Sequence, residues 1–232
     1  MIRILCFIAV MVVAAGVATA DQYWIAYEGN DFPENEGWER GYGDGNYPPE
    51  DEPDRWLENG VLVIDTSRDP QLWEYYCMRP ITDPQPGELF VAEWRVRLDL
   101  HSGSWDGTVV IARDQSPGHV AFSLTNDNLL IQNENMAIPI SAHEYHTYRF
   151  ESPDMQGYRL LIDGELAHVG EFWTQTALQS YVAWGPGMQG ASSTSYWDYF
   201  RFGVIPEPHI VVQVLLVSAI VGRCVRRAGA RP

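Results

Sequence analysis

The chain contains no lysine, so all 15 of its permanently cationic side chains are arginines. Between Asp21 and Ile205, 30 acidic residues stand against 10 arginines, which gives this segment a net charge of −20. Such a surface repels polyanions, which excludes nucleic acid and anionic lipid as its partners. Only one cysteine, Cys77, lies in the segment. One thiol can form neither an internal disulfide nor a cysteine metal cluster, so the fold must rest on its hydrophobic core.

Residues 1–20 predict a secretory signal peptide. Arg3 supplies positive charge ahead of an uncharged apolar run, Ile4–Val17. A small-x-small cleavage site ends at Ala20, and we expect cleavage before Asp21. The alternative is an uncleaved membrane anchor, but the run is short for a membrane span.

The C-terminus, residues 206–232, holds three features in order. Pro206-Glu207-Pro208 comes first, an apolar run from Ile210 to Gly222 follows, and arginines end the chain. The run has 13 residues, and it reaches about 18 when its flanks are included and the arginines snorkel. Under the positive-inside rule these arginines would stay cytoplasmic. The acidic segment between Asp21 and Ile205 would then lie on the other side of the membrane.

This tail resembles the PEP-CTERM sorting signal of Gram-negative bacteria that make exopolysaccharide. The resemblance implies a transmembrane sorting helix in the inner membrane, recognition by an exosortase, and cleavage near Pro206, Glu207 and Pro208. The protein would be membrane-anchored before processing and then held at the cell surface or in the extracellular matrix. An ordinary C-terminal anchor is the alternative.

Between the two ends, apolar and polar residues alternate with a period of two, and no segment shows a convincing helical period. In Phe90–Leu100 the even-numbered residues are predicted to face the core, and the odd-numbered ones to face solvent. Asn59-Gly60, Asp106-Gly107 and Asp163-Gly164 predict tight turns. Gly41–Asp54 is predicted to be a surface loop. Further strands are predicted at Val61–Asp65, Leu72–Met78, Thr108–Arg113, His119–Leu124, Leu129–Gln132, Tyr145–Glu151, Tyr158–Asp163, Tyr181–Trp184 and Ser195–Phe202.

About ten short strands without helices predict an all-β sandwich or barrel. Three segments, 144–149, 158–165 and 197–203, resemble strands of the concanavalin A-like lectin/glucanase superfamily in its laminin-G-like branch. They read EYHTYR, YRLLIDGE and WDYFRFG. The resemblance implies that residues 21–205 form one antiparallel jelly-roll sandwich of two sheets, with a tendency to bind glycans.

A glycosidase needs two carboxylates on either side of one sugar. In glucanases of this superfamily they form a Glu-x-Asp-x-x-Glu pattern, which this sequence lacks. Glu93 and Asp99 share a strand face, but six residues place them roughly 20 Å apart. Glu151 and Asp163 lie on neighbouring predicted strands, although nothing marks them as more than solvated charges. The sequence therefore predicts that the protein is not an enzyme.

Two loop-borne tryptophans, Trp105 and Trp184, are candidate carbohydrate-binding residues, with core packing as the alternative for each. Arg95, Arg97 and Arg149 form a second candidate site, because arginine suits bidentate contact with carboxylates such as those of uronic acids. Their alternative role is in salt bridges with Glu93, Asp99 and Glu151.

No cofactor is expected, although an acidic loop offers oxygen ligands of the kind that Ca²⁺ prefers. Its spacing matches no calcium loop, so a solvated loop is the favoured interpretation. The acids concerned are Asp44, Glu50, Asp51, Glu52 and Asp54.

The leading hypothesis is an exported, non-catalytic protein that binds a glycan or exopolysaccharide. The alternatives are a glycan hydrolase or lyase with an unrecognised site, and a purely structural surface protein.

Overall fold

The computed structural model describes residues 24–42, 54–67, 74–78, 80–114, 117–174, 177, 179–186 and 191–207. The predicted signal peptide, its cleavage site at Ala20 and Asp21, Pro208 and the apolar tail lie outside these residues, as do four of the five acids of the candidate calcium loop. Among the residues that are described, no helix has the length and apolar character needed to cross a membrane.

The described chain consists of fifteen antiparallel strands and two short 3-10 helices, Pro33–Glu36 and Gln132–Glu134. The strands are β1 (Trp24–Tyr27), β2 (Glu39–Tyr42), β3 (Asp54–Glu58), β4 (Val61–Asp65), β5 (Glu74–Met78), β6 (Glu88–Ser102), β7 (Asp106–Ala112), β8 (His119–Leu124), β9 (Asn128–Ile131), β10 (Met136–Pro139), β11 (His146–Ser152), β12 (Gly157–Ile162), β13 (Glu165–Glu171), β14 (Tyr181–Gly185) and β15 (Ser192–Pro206).

These strands form two sheets. Sheet A has the order β13-β12-β11-β6-β15-β4-β3, with β1 also paired to β15. Sheet B has the order β10-β9-β8-β7-β14-β5-β2. The fold is thus an all-β antiparallel sandwich of two sheets, consistent with a jelly roll, which confirms the predicted fold class for the described chain.

The core lies between the sheets and is rich in aromatic side chains. On β6, the predicted alternation is confirmed, because Phe90, Trp94 and Leu98 are buried in the core. Trp94 stacks on Phe200 of β15 at a ring separation of 6.0 Å. The charged residues at positions 93, 95, 97 and 99 of β6 therefore lie on the outer face of sheet A.

Two of the three predicted turns are confirmed. Asn59-Gly60 and Asp163-Gly164 join strands with positive φ at both residues, as this type of hairpin requires. The turn predicted at Asp106-Gly107 is wrong, because this pair begins β7 and introduces a β-bulge. Asp106 is buried there and accepts a hydrogen bond of 2.6 Å from the Ser193 hydroxyl on sheet A. The carboxylate links the two sheets instead of turning the chain.

Of the strands that sequence analysis missed, all but the seven-residue β13 have only four or five residues. They are β1, β2, β3, β10 and β13. β2 and β3 occupy the two ends of the predicted loop Gly41–Asp54, whose middle lies outside the described residues. Strands of four or five residues give too few alternations for a period of two to be recognised.

Candidate functional site

Arg95, Arg97 and Arg149 lie together on the outer face of sheet A. Arg95 and Arg97 are on β6, and Arg149 is on β11, directly opposite Glu93 of β6. Arg159 of β12 and Arg201 of β15 share this face. The arginine face, defined by these five residues, therefore holds half of the arginines between Asp21 and Ile205.

Each of the three predicted arginines is paired with a carboxylate. Arg97 contacts Asp99 at 3.1 Å, and Arg95 pairs with Asp198. Arg149 contacts two carboxylates, with Nη1 2.9 Å from Glu93 and Nε 2.8 Å from Glu151. Burial by itself would lower the pKa of Arg149, but its hydrogen bonds with these two carboxylates outweigh burial and raise it. Arg149 is therefore a permanent cation that holds two acids.

Glu93 and Glu151 form a carboxylate pair that sequence analysis did not identify. Arg149 is the cross-strand partner of Glu93, and Glu151 lies two residues further along β11 on the same face. Diagonal neighbours of this kind are about 7–8 Å apart. The carboxylates of inverting glycosidases are roughly 6.5–9.5 Å apart. The spacing of about 7–8 Å is a backbone spacing, and both side chains contact the same guanidinium, so the two carboxylates lie close enough to face one glycosidic bond.

The two members of the pair have different surroundings. Glu93 is bound by Arg149, by Arg201 at 3.2 Å and by the Tyr199 hydroxyl at 3.2 Å. Glu151 is bound by Arg149 and by Arg159 at 2.6 Å, and the Arg159 side chain is 55% exposed. Glu93 is thus contacted by three donors, whereas one of the two cations on Glu151 belongs to a side chain that is more than half exposed.

The candidates from sequence do not all join this site. Trp184 lies in the core and is fully buried, with its ring stacked on Phe200 at 5.5 Å and 7°. The prediction that Trp184 is loop-borne and partly exposed is wrong, because β14 extends through Gly185 and carries the ring inward. Trp184 is therefore part of the core and cannot contact a sugar in the folded protein.

Trp105 lies elsewhere, at a groove on the outer side of sheet B. The groove has a volume of about 360 Å³. Leu130 and Met136 add apolar surface, and Gln132 and Asn135 add polar groups. The Gln132 side-chain amide donates a hydrogen bond of 2.7 Å to the Ser123 hydroxyl on β8. The groove combines an indole ring with hydrogen-bonding side chains, which is what a sugar ring needs.

The other acids that the sequence analysis considered, and the two histidines beside them, are held in local contacts. Glu151 and Asp163 lie at opposite ends of β12, because Glu151 is opposite Arg159 and Asp163 follows Ile162. Burial alone would raise the pKa of Asp163, but hydrogen bonds from His146 and from the Thr147 amide outweigh it and lower the pKa. His143 contacts Asp99 at 3.0 Å. Within the described residues, no group of three or more histidine, cysteine, aspartate or glutamate side chains is arranged to hold a metal ion.

The sequence matches no model of a protein family, and a search of curated proteins finds no relative. Solved structures do resemble the fold. A carbohydrate esterase from the Shiga toxin-encoding bacteriophage phi24B has a TM-score of 0.58 at 9% identity, over 79% of this chain and 98% of that one. A prokaryotic β-1,3-1,4-glucanase (lichenase) from a mouse hindgut metagenome has a TM-score of 0.51 at 12% identity. The match covers 78% of this chain and 98% of the glucanase chain. A GlcNAcα1-4Gal-releasing endo-β-galactosidase from Clostridium perfringens has a TM-score of 0.54 at 15% identity. The match covers 76% of this chain and 61% of the galactosidase chain.

At these identities the likeness is one of fold. It shows that the two-sheet sandwich of this chain is also the fold of these three proteins. It also contradicts the prediction that the protein is not an enzyme, because each of these three proteins is described as an enzyme that acts on carbohydrate. The sandwich fold alone therefore gave no ground for excluding catalysis, and the chain shares its architecture with glycan-active jelly-roll enzymes.

Proposed function

We propose that the protein is a glycan hydrolase whose catalytic carboxylates are Glu93 and Glu151. The observation that supports this proposal is their position as a diagonal pair on neighbouring strands, with both bound to Arg149. The structural neighbours add support, since a glucanase and an endo-β-galactosidase have the same fold.

The surroundings of the two acids suggest their roles. Glu93, which contacts two arginines and a tyrosine hydroxyl, is the general base that removes a proton from the attacking water. The water oxygen bonds to the anomeric carbon as the bond to the glycosidic oxygen breaks. Glu151 is the general acid: when substrate has displaced Arg159, it takes up a proton from solvent and then gives that proton to the departing oxygen.

The test is the release of reducing ends by the full-length protein from a panel of polysaccharides. We expect Glu93→Gln and Glu151→Gln each to reduce the rate by about 100-fold or more, because each removes one proton transfer. Glu165→Gln, on the exposed edge strand β13, is the matched control and should retain activity. Absence of reducing ends from every substrate would contradict the proposal, and an unsaturated product would indicate a lyase.

A second proposal is glycan binding at the Trp105 groove. It is supported by the combination of the indole ring with Gln132 and Asn135 in one groove. Retention on a polysaccharide affinity gel is the test, and Trp105→Ala should abolish it while leaving the rate of cleavage of a short soluble substrate unchanged. Equal retention of both proteins would contradict the proposal.

Export and sorting are also proposals. We infer from the two chain ends that the protein is secreted, cleaved before Asp21, and delivered to an exosortase at Pro206-Glu207-Pro208, so that it reaches the cell surface or matrix. Mass spectrometry of the protein purified from its own cells tests this inference. A mature N-terminus at Asp21 and a C-terminus near Glu207 are expected, and an intact tail together with an intact leader would contradict it.

A further inference from the structure

A row of side chains crosses the outer face of sheet A beside the predicted arginine site. Trp56 of β3 lies opposite Val63 of β4, Val63 lies opposite Tyr196 of β15, and Tyr196 lies opposite Arg97 of β6. Three strand spacings separate the two ends, which is about 14 Å. Val63 is fully buried although it lies on the outer face, so the side chains around it cover it.

One end of the row is an exposed aromatic ring. Trp56 is 40% exposed, which is unusual for tryptophan in a sandwich whose other large aromatic rings mostly fill the core. Its position on the outer face removes it from the core between the sheets. The ring therefore offers a flat apolar surface to solvent at the end of the row.

The other end is a pair of arginines stacked on tyrosines. The Arg97 guanidinium lies 3.4 Å from the ring centroid of Tyr196. The Arg95 guanidinium lies 4.6 Å from the ring centroid of Tyr145. Stacking fixes the guanidinium planes and leaves their N–H edges available for hydrogen bonds in the plane. The donors at this end are therefore held in place before any ligand arrives.

The charges of this end are balanced. Asp198 pairs with Arg95, and Asp99 pairs with Arg97. Each couple presents N–H donors and carboxylate acceptors, which matches the hydroxyl groups of a sugar because a hydroxyl both donates and accepts. A polyanion would have to displace Asp198 and Asp99 and approach a chain with a net charge of −16. A neutral sugar meets neither barrier.

We propose that the row from Trp56 to Arg97 binds a neutral oligosaccharide of about three sugar units, with one unit stacked on Trp56 and another held by the Arg95–Asp198 and Arg97–Asp99 couples. This inference rests on the proposed hydrolase function, because Glu93 shares β6 with Arg97 and lies about 13 Å from it along the strand. The row then binds sugar units of the same polysaccharide that Glu93 and Glu151 cleave. The substrate would therefore be a neutral polysaccharide rather than a polyuronide.

The test is calorimetric titration of the full-length protein carrying Glu93→Gln, so that bound sugar is not consumed. The probes are neutral gluco-oligosaccharides of two to six units and oligouronides of the same lengths. We expect affinity for the neutral series to rise up to about three units and then level off, and Trp56→Ala to weaken binding about tenfold. Trp173→Ala, at another exposed tryptophan, is the matched control and should bind like the parent.

Tighter binding of oligouronides than of neutral sugars would overturn the inference, as would unchanged binding by the Trp56→Ala protein. The two proposals fail separately. If Trp56→Ala loses binding while the unmodified protein releases no reducing ends, the row is a binding site and the hydrolase proposal fails. If reducing ends are released from neutral polysaccharide at the same rate by the Trp56→Ala protein, hydrolysis stands and the row does not bind the substrate.

Discussion

Arg40 and Glu74 form a buried ion pair on neighbouring strands of sheet B, with Nη2 and Oε2 2.6 Å apart and the Glu74 side chain fully buried. The Tyr76 hydroxyl donates to the same carboxylate and accepts a hydrogen bond of 3.0 Å from Arg55 on β3 of sheet A. A polar network thus joins the two sheets inside the sandwich. Its carboxylate is satisfied only while all of these donors are present.

The first prediction concerns this pair. Glu74→Gln removes the charge that balances Arg40, and we expect it to lower the free energy of unfolding by about 3–5 kcal/mol. Replacing both partners, with Arg40→Met and Glu74→Leu, should cost less than the sum of the two single changes. Urea unfolding of five proteins, namely the parent, Glu74→Gln, Arg40→Met, Glu74→Leu and the Arg40→Met/Glu74→Leu double variant, measures both values. Additive costs would show that the two side chains do not stabilise one another.

The second prediction concerns the close approach of two turns at Gly29. A Cβ added at Gly29 would lie 1.9 Å from the Gly60 carbonyl oxygen, so the backbone would have to move. We expect Gly29→Ala to destabilise the fold by at least about 3 kcal/mol. Gly37→Ala is the control, because Gly37 also has a positive φ but has no heavy atom within 4 Å of an added Cβ. Its cost should be only the backbone strain, about 1–2 kcal/mol, and equal losses at the two sites would contradict the predicted clash.

The third prediction concerns acid. Burial alone would raise the pKa of Asp163, but hydrogen bonds from His146 and Thr147 outweigh burial and lower the pKa. Burial alone would also raise the pKa of Asp99, but hydrogen bonds from His143 and Arg97 and the charge of Arg97 outweigh burial and lower the pKa. A carboxyl whose pKa is lower in the folded state stabilises the protein above its unfolded pKa, near 3.9. That stability is lost as the pH falls through the lower, folded value.

Asp163→Asn should therefore be less stable than the parent at pH 7 and equally stable near the acid end of the transition. Asparagine suits this test because it tolerates the φ of 52° found at Asp163. Thermal unfolding measured from pH 7 downwards gives the comparison. A difference between the two proteins that stays constant with pH would show that the carboxylate charge is not its source.

The fourth prediction separates the two tryptophans that the sequence marked together. Trp184→Ala opens a cavity among Tyr27, Trp38, Tyr76 and Trp197, and we expect it to cost about 3–5 kcal/mol. Trp105→Ala removes a partly exposed ring and should change the free energy of unfolding by less than about 1 kcal/mol. The two values come from the same urea titration. Similar costs would contradict either the burial of Trp184 or the exposure of Trp105.

Sequence alone predicted the local part of this structure. The alternation in Phe90–Leu100 predicted which face of β6 is exposed to solvent. The Asn-Gly pair at 59 and the Asp-Gly pair at 163 predicted two hairpins. Both signals depend only on residues that are neighbours in the sequence. The pairing of β6 with β11 depends on register between segments about fifty residues apart, which no local pattern encodes. Glu93 and Glu151 therefore could not be recognised as a pair. Trp184 was misplaced for a similar reason, since the Gly-Pro step after it looked like a turn but follows a strand that faces the core.

The length of β15 has a mechanical consequence. Along one edge, this strand pairs with β6 from Ser192 to Pro206. Along the other edge it pairs first with β4 and then with β1. The next amide, that of Glu207, donates to the Gly87 carbonyl. Its hydrogen bonds run across the strand, so a pull on the chain beyond Glu207, directed along the strand, loads them in parallel as shear. They must then yield together rather than one at a time. The sandwich should therefore withstand a larger force when it is pulled from this end than a fold whose terminal strand is peeled away bond by bond.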